Sequence, residues 1–158
     1  MNGRKLWHLA WLLPVLYGVC YAGMFVLVNR VHGYRHARAS EIPAECLGGV
    51  ALYGERPEDV DVIVVRQDMD GDGQCELLID AGEYERGAAN FWFEIWKRGP
   101  SGGHERMGSF FADEYWVVPP WTIFGHSNIL CILSTGDRFW VRWAGDRYAD
   151  DWWREVPP

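Results

Sequence analysis

The chain has 158 residues, 49% of them apolar and 15% aromatic, a composition that belongs to a folded domain and excludes intrinsic disorder. The formal net charge of −7 is unevenly spread: residues 1–39 carry five Lys/Arg and no acid, while residues 40–158 carry all 22 acids against ten basic residues. Such an acidic body repels phosphate backbones and excludes nucleic acid as a partner, while it favours divalent cations.

Residues 1–30 read as a membrane anchor. Leu6 to Val28 is a run of 23 residues without a charged side chain, and a bilayer asks for about 20. A transmembrane helix over 6–28 is therefore expected, with His8 and Pro14 tolerated inside it and Trp7 and Trp11 at one interface. A cleaved secretory signal is the alternative, although a cut after Ala22 would leave the apolar "GMFVLV" on the mature end. Arg4 and Lys5 balance Arg30, Arg35 and Arg38, so flanking charge does not orient the helix. The acidic C-terminal part does: a weak calcium site fills outside the cytosol, which places the N-terminus in the cytoplasm and the rest of a single-pass protein outside it. Residues 31–44 are polar and basic and read as a juxtamembrane linker.

Residues 45–158 read as one mainly β domain, a small antiparallel sheet or meander. Strand patterns recur as "VALY" near 50, "VDVIVV" at 60–65, "ELLID" at 76–80, "NFWFEIW" at 90–96, "RMGSFF" at 106–111, "YWVVPPWTIF" around 120, "ILCIL" at 129–133 and "RFWVRW" at 138–143. Turn signals such as "GPSGG", "STGD" and "AGD" separate them. The segment "ASEIPAECLGGVALYG" has room for one short turn of helix. Period-two alternation sets Phe91, Phe93 and Ile95 on one face and Trp92, Glu94 and Trp96 on the other; likewise Phe139, Val141 and Trp143 oppose Trp140 and Arg142. The mixed face, with Trp92, Trp96 and Trp140, is a candidate surface for a sugar ring or a partner protein, and burial under another element is the alternative. Outside the apolar run, Cys46, Cys75 and Cys131 allow at most one internal disulfide.

The loop "DMDGDGQCELLID", residues 68–80, crowds acids together. With Asp68 as position one, Asp70, Asp72 and Glu76 fall at three, five and nine; Gln74 supplies its backbone carbonyl at seven, and Gly73 at six permits a sharp turn. A chain that circles a hard cation presents alternate residues inward, so Asp68, Asp70, Asp72, Gln74 and Glu76 are the candidate ligands of Ca2+, with Asp80 outside them. Position twelve, where an EF-hand has its bidentate glutamate, is Ile79, and the flanks are β-like. A solvated acidic hairpin turn is the alternative.

This stretch resembles the calcium loops of integrin-type FG-GAP and VCBS repeats, in which an acidic glycine-containing core joins two strands. Asp68, Asp70, Gly71, Asp72, Gly73 and Glu76 match that core. The resemblance covers about thirteen residues and implies a calcium-stabilised β module; the single copy, in a chain this short, departs from that family's multi-bladed propeller.

Motifs for phosphate cradling, serine hydrolases and zinc proteases are absent from the sequence. His104 with Glu105, Asp113 with Glu114, and His126 beside Ser127 become acid/base chemistry only if the fold assembles them. Two function classes follow. One is a non-enzymatic, membrane-anchored, extracytoplasmic calcium-binding β module that meets a partner protein or an envelope glycan. The other is a small glycan-acting hydrolase using paired carboxylates such as Asp113 and Glu114.

Overall fold

A computed structural model describes residues 3–29, 31–49, 56–80, 91–119 and 125–150; the side chains of its N-terminal helix are described over residues 13–26. The protein is mainly β. Among the described residues, helix α1, Gly3–Val28, leads into nine strands: β1 Val31–Arg38, β2 Asp61–Gln67, β3 Glu76–Asp80, β4 Phe91–Arg98, β5 His104–Ala112, β6 Glu114–Val118, β7 Asn128–Ile132, β8 Arg138–Trp143 and β9 Tyr148–Asp150. Every pairing is antiparallel and follows chain order, giving one sheet β1-β2-β3-β4-β5 and a second β6-β7-β8-β9. Asp113 is the single residue between β5 and β6, so the chain steps there from one sheet to the other.

Alternation in the strands explains the layering. Val65, Leu78, Phe93, Ile95 and Phe110 from the first sheet pack with Val117, Ile129, Cys131, Phe139, Val141 and Tyr148 from the second, which places the main core between the sheets. Residues of opposite parity, Val62, Val64, Ile79 and Trp96, point to the far face of the first sheet and form a second core with Ala37, Ala39, Ile42 and Cys46. The cover over that face comes from two 3-10 segments, Ala39–Glu41 and Ala44–Gly49. One short helical turn was anticipated there, and the segment forms two. At Gly108 the β4–β5 register shifts, and a Cβ would stand 2.8 Å from the Tyr148 carbonyl oxygen. Glycine at φ 147° lets β9 lie directly on β5.

Three expectations change. Residues 31–38 of the expected linker form β1, paired along its length with β2, and Arg35 and Arg38 are held by Glu41 and Asp61. A basic segment with strand alternation was read as a membrane flank because its partner strand lies 30 residues downstream. The candidate aromatic face is not assembled as an open surface, and burial, the other reading of it, holds for Trp96. Trp96 is buried in the second core with its indole N–H on Glu94, Trp92 is half-buried and stacked on Phe111, and Trp140 belongs to the other sheet.

The third change concerns the single-pass anchor. Among the described residues no helix is long and apolar enough to cross a membrane. Although α1 is helical over the expected span, its C-terminal turns lie against β6. Tyr21, Phe25 and Asn29, one helical stripe, face the second sheet: the Tyr21 hydroxyl donates to the Pro119 carbonyl at 3.0 Å and Phe25 stacks on Trp116. Asn29 accepts from Val117 N–H at 2.8 Å and donates to its carbonyl, so one amide pairs with the backbone of this edge strand. The strand expected near residue 50 and Trp152 and Trp153 lie outside the described residues.

Candidate metal centre

Strands β2 and β3 pair with Gln67 opposite Glu76, so residues 68–75 close the hairpin. Gly71 and Gly73 take positive φ, 77° and 84°, the second at the position where the sequence called for a sharp turn. Within the loop each carboxylate uses one or both oxygens on local backbone: Asp68 accepts from Gly71 and Gly73 N–H at 2.7 and 2.9 Å, Asp70 from Asp72, Asp72 from Gln74, and Glu76 from Met69 at 2.8 Å. These bonds fold the acids inward. Asp68 and Glu76 are 3% exposed, and Met69, between the first two acids, is inserted into the main core.

Asp68, Asp70 and Glu76 bring one carboxylate oxygen each to within 4.8 Å of one another. Oxygens on opposite sides of one calcium ion stand at most about 5 Å apart, given bonds of roughly 2.3–2.6 Å, so the three fit a shared hard cation. Magnesium bonds are shorter, and the same spread suits it less. Of the remaining expected ligands, Asp72 turns its outer oxygen to a neighbouring side chain, and Gln74 is exposed at the mouth of the loop. Ile79, at the twelfth position, is fully buried in β3 and faces away from the loop. Asp80 is at the far end of the same strand, opposite Phe93.

A residue that the sequence reading did not single out completes the site. Lys97, on β4, places Nζ 2.6 Å from Asp70 Oδ2, 2.9 Å from Asp72 Oδ2 and 3.5 Å from Glu76 Oε1. The β3–β4 register, Leu77 opposite Trp96, sets Glu76 across from Lys97 when continued by one step. The crowded negative charge therefore has a cation of the chain's own. Part-burial disfavours the lysine's charge, yet hydrogen bonds to Asp70 and Asp72 outweigh it and hold the ammonium well above its usual range. Asp72 is likewise lowered: part-burial works against it, and the Lys97 and Gln74 donors prevail.

Glu76 is less well served. Burial pushes its carboxyl up to about 7, with Asp70's charge adding to the rise against the Met69 N–H and Lys97. Oε1 is buried and has no hydrogen-bond partner among the described residues; Lys97 approaches it as a charge at 3.5 Å without forming such a bond. Opposite, from the segment that leads into β7, His126 Nδ1 stands 3.4 Å from Asp70 Oδ2, its ring packed on Trp143 with centroids 3.6 Å apart. Burial lowers the histidine's pKa against the pull of Asp70. The Tyr148 hydroxyl, also buried without a partner, is pushed strongly up by burial and by the charges of Glu76 and Asp70.

The other candidate groups are dispersed. Asp113 and Glu114 are exposed at the step between sheets, where Glu114 accepts from the Trp116 indole at 2.9 Å. His104 pairs with Glu45 at 3.2 Å. Cys46, Cys75 and Cys131 are free thiols, and burial pushes that of Cys46 up to about 12. Beside the acidic loop runs an open groove of about 670 Å³ lined by Gln74, Lys97, Arg98, Gly99, Glu105 and Met107, among others. No family model matches the chain, nor does any curated protein or solved structure.

Proposed function

We propose that the protein is a calcium-binding β module, non-enzymatic, whose loop 68–76 takes the ion on Asp68, Asp70 and Glu76, with Asp72 and the Gln74 carbonyl closing around it. One observation carries this reading: three carboxylates from the two ends of one loop converge, and one of their oxygens, Glu76 Oε1, is buried with no hydrogen-bond partner among the described residues. An unbonded carboxylate oxygen in that position is costly, and a hard cation satisfies it. The likeness of the loop to FG-GAP and VCBS repeats supports the same assignment.

The finer parts of the proposal concern place and partner. α1 exposes Leu13, Val15, Leu16, Val19 and Val26, an apolar surface that lipid covers better than water, so the module is held at a membrane by this helix. Weak calcium binding suits surroundings where the ion is near millimolar, outside the cytosol. A protein or glycan partner meets the module at the groove beside the loop rather than across the tryptophans, because Trp96 is buried. The test is thermal melting of the full chain in detergent micelles, with calcium or with chelator. Binding to the folded state alone raises stability by about 2.7 kcal/mol at a hundredfold excess over Kd. Identical melting in the two conditions contradicts the assignment.

A further inference from the structure

Three of the oxygens that an ion would meet are already turned to Lys97, while both Asp68 oxygens accept from the Gly71 and Gly73 N–H groups. Asp70 Oδ1, Asp72 Oδ1 and Glu76 Oε2 are taken by backbone N–H groups, which leaves Asp70 Oδ2, Asp72 Oδ2 and Glu76 Oε1, and these face the ammonium at 2.6, 2.9 and 3.5 Å. We propose that Lys97 is the resident cation of loop 68–76, and that a divalent ion enters by displacing its ammonium toward Glu105. The proposal rests on the calcium reading and adds to it the residue that sets the affinity.

Two cations cannot share these oxygens, since charges about 4 Å apart repel strongly outside bulk water. The lysine, on a flexible four-carbon stem, is the mobile one. Its destination is built into the sheet. Glu105 is the register partner of Lys97 across β4 and β5, and directly opposed residues project to the same face within reach of one another. The Glu105 carboxylate lies over Gly99, where a Cβ would meet its Oε1 at 2.8 Å, and the groove between them gives the lysine stem room to swing. Lys97 also leaves the site under-filled. Glu76, 3% exposed, keeps Oε1 without a hydrogen bond even with the ammonium in place, so an ion with shorter bonds gains what lysine does not. A tethered competitor of this kind weakens binding and confines occupancy to surroundings rich in divalent cation.

The test is calorimetric titration of calcium chloride into the full chain in micelles, comparing wild type, Lys97→Met and Glu105→Gln. Removing the competitor is expected to lower Kd by at least about tenfold, equivalent to 1.4 kcal/mol. Glu105→Gln, which deprives the displaced ammonium of its partner, is expected to weaken binding by about threefold, the scale of a solvent-exposed ion pair. Equal affinity in wild type and Lys97→Met overturns the proposal and leaves the calcium reading standing. Binding in Lys97→Met alone supports Lys97 as resident cation and overturns calcium binding by the wild type; no heat in any of the three overturns both. Should Lys97→Met fail to fold, Glu105→Gln decides, and unchanged affinity in it counts against displacement.

Discussion

Lys97 Nζ lies 2.6 Å from Asp70 Oδ2 across 27 residues of chain, joining the acidic loop of one hairpin to the strand that follows it. The two side chains are 24% and 11% exposed, so the contact is screened far less than a surface pair. Asp70→Asn keeps the shape and removes the charge. We expect a loss of about 1.5–3 kcal/mol of stability in calcium-free buffer, the scale of a hydrogen bond to a charged group, read by denaturant unfolding. The same variant should lose its response to calcium; a stable Asp70→Asn chain that still responds assigns the ion elsewhere.

Glu76 gives a pH dependence of definite sign. Its carboxyl titrates near 7 in the folded chain and near 4.5 ordinarily, so the folded state holds the proton more tightly. Stability is therefore greatest below the ordinary value and falls as pH rises through 7, by on the order of 3 kcal/mol from this group alone. Asp72, lowered rather than raised, acts in the opposite sense but near pH 4 and below. Between pH 5 and pH 8 the calcium-free chain is expected to melt lower as pH rises, and saturating calcium, which holds Glu76 ionised, should flatten that slope. Glu76→Gln should remove the fall and leave the opposite, weaker contribution of His126, whose lowered pKa favours the folded state as pH rises.

Much of this fold was legible from apolar pattern alone. "ELLID" and "RFWVRW" became β3 and β8 with the bounds read from sequence, the first as a short apolar run buried on both faces and the second because its buried residues, Phe139 and Val141, alternate. β1 was missed: "VHGYRHAR" has few apolar residues, and its strand character comes from pairing with β2. β9, three residues long, gave too short a pattern. The acids of the site were readable because they are local in sequence. Lys97, His126 and Tyr148 were not, since only strand register and sheet packing bring them to the loop. The tryptophans were misplaced for a related reason: alternation assigns Trp96 to a face, but the 3-10 segments that cover that face are remote in the chain.

At the junction of the sheets, Gly108→Ala should be costly. Its Cβ would meet the Tyr148 backbone at 2.8 Å, at a φ that side chains rarely adopt. A loss of about 1–3 kcal/mol is expected from overpacking, together with exposure of Tyr148. Wild-type stability in this variant would contradict the close contact of β5 with β9.

Asn29→Leu removes the amide that pairs with Val117 on the edge of β6. Leaving these two backbone groups unpartnered is expected to cost about 1–3 kcal/mol and to speed hydrogen exchange at the Val117 amide. Unchanged protection there would show that α1 does not cap the strand. Separately, the exposed apolar residues of α1 lead us to expect that the full chain co-floats with lipid vesicles in a density gradient; recovery only in the lipid-free fraction contradicts membrane attachment.

The central claim, that loop 68–76 binds calcium, is tested most directly by calorimetric titration of the wild-type full chain at pH 7.5 with calcium and then with magnesium. The account predicts one site per chain with a Kd of roughly 10⁻⁵ to 10⁻³ M, in the range of weaker sensor and extracellular sites, and weaker binding of magnesium. No heat of binding at millimolar calcium, with the fold intact and Lys97 still holding Asp70, would mean that the lysine alone neutralises these carboxylates and that the loop is not a metal site.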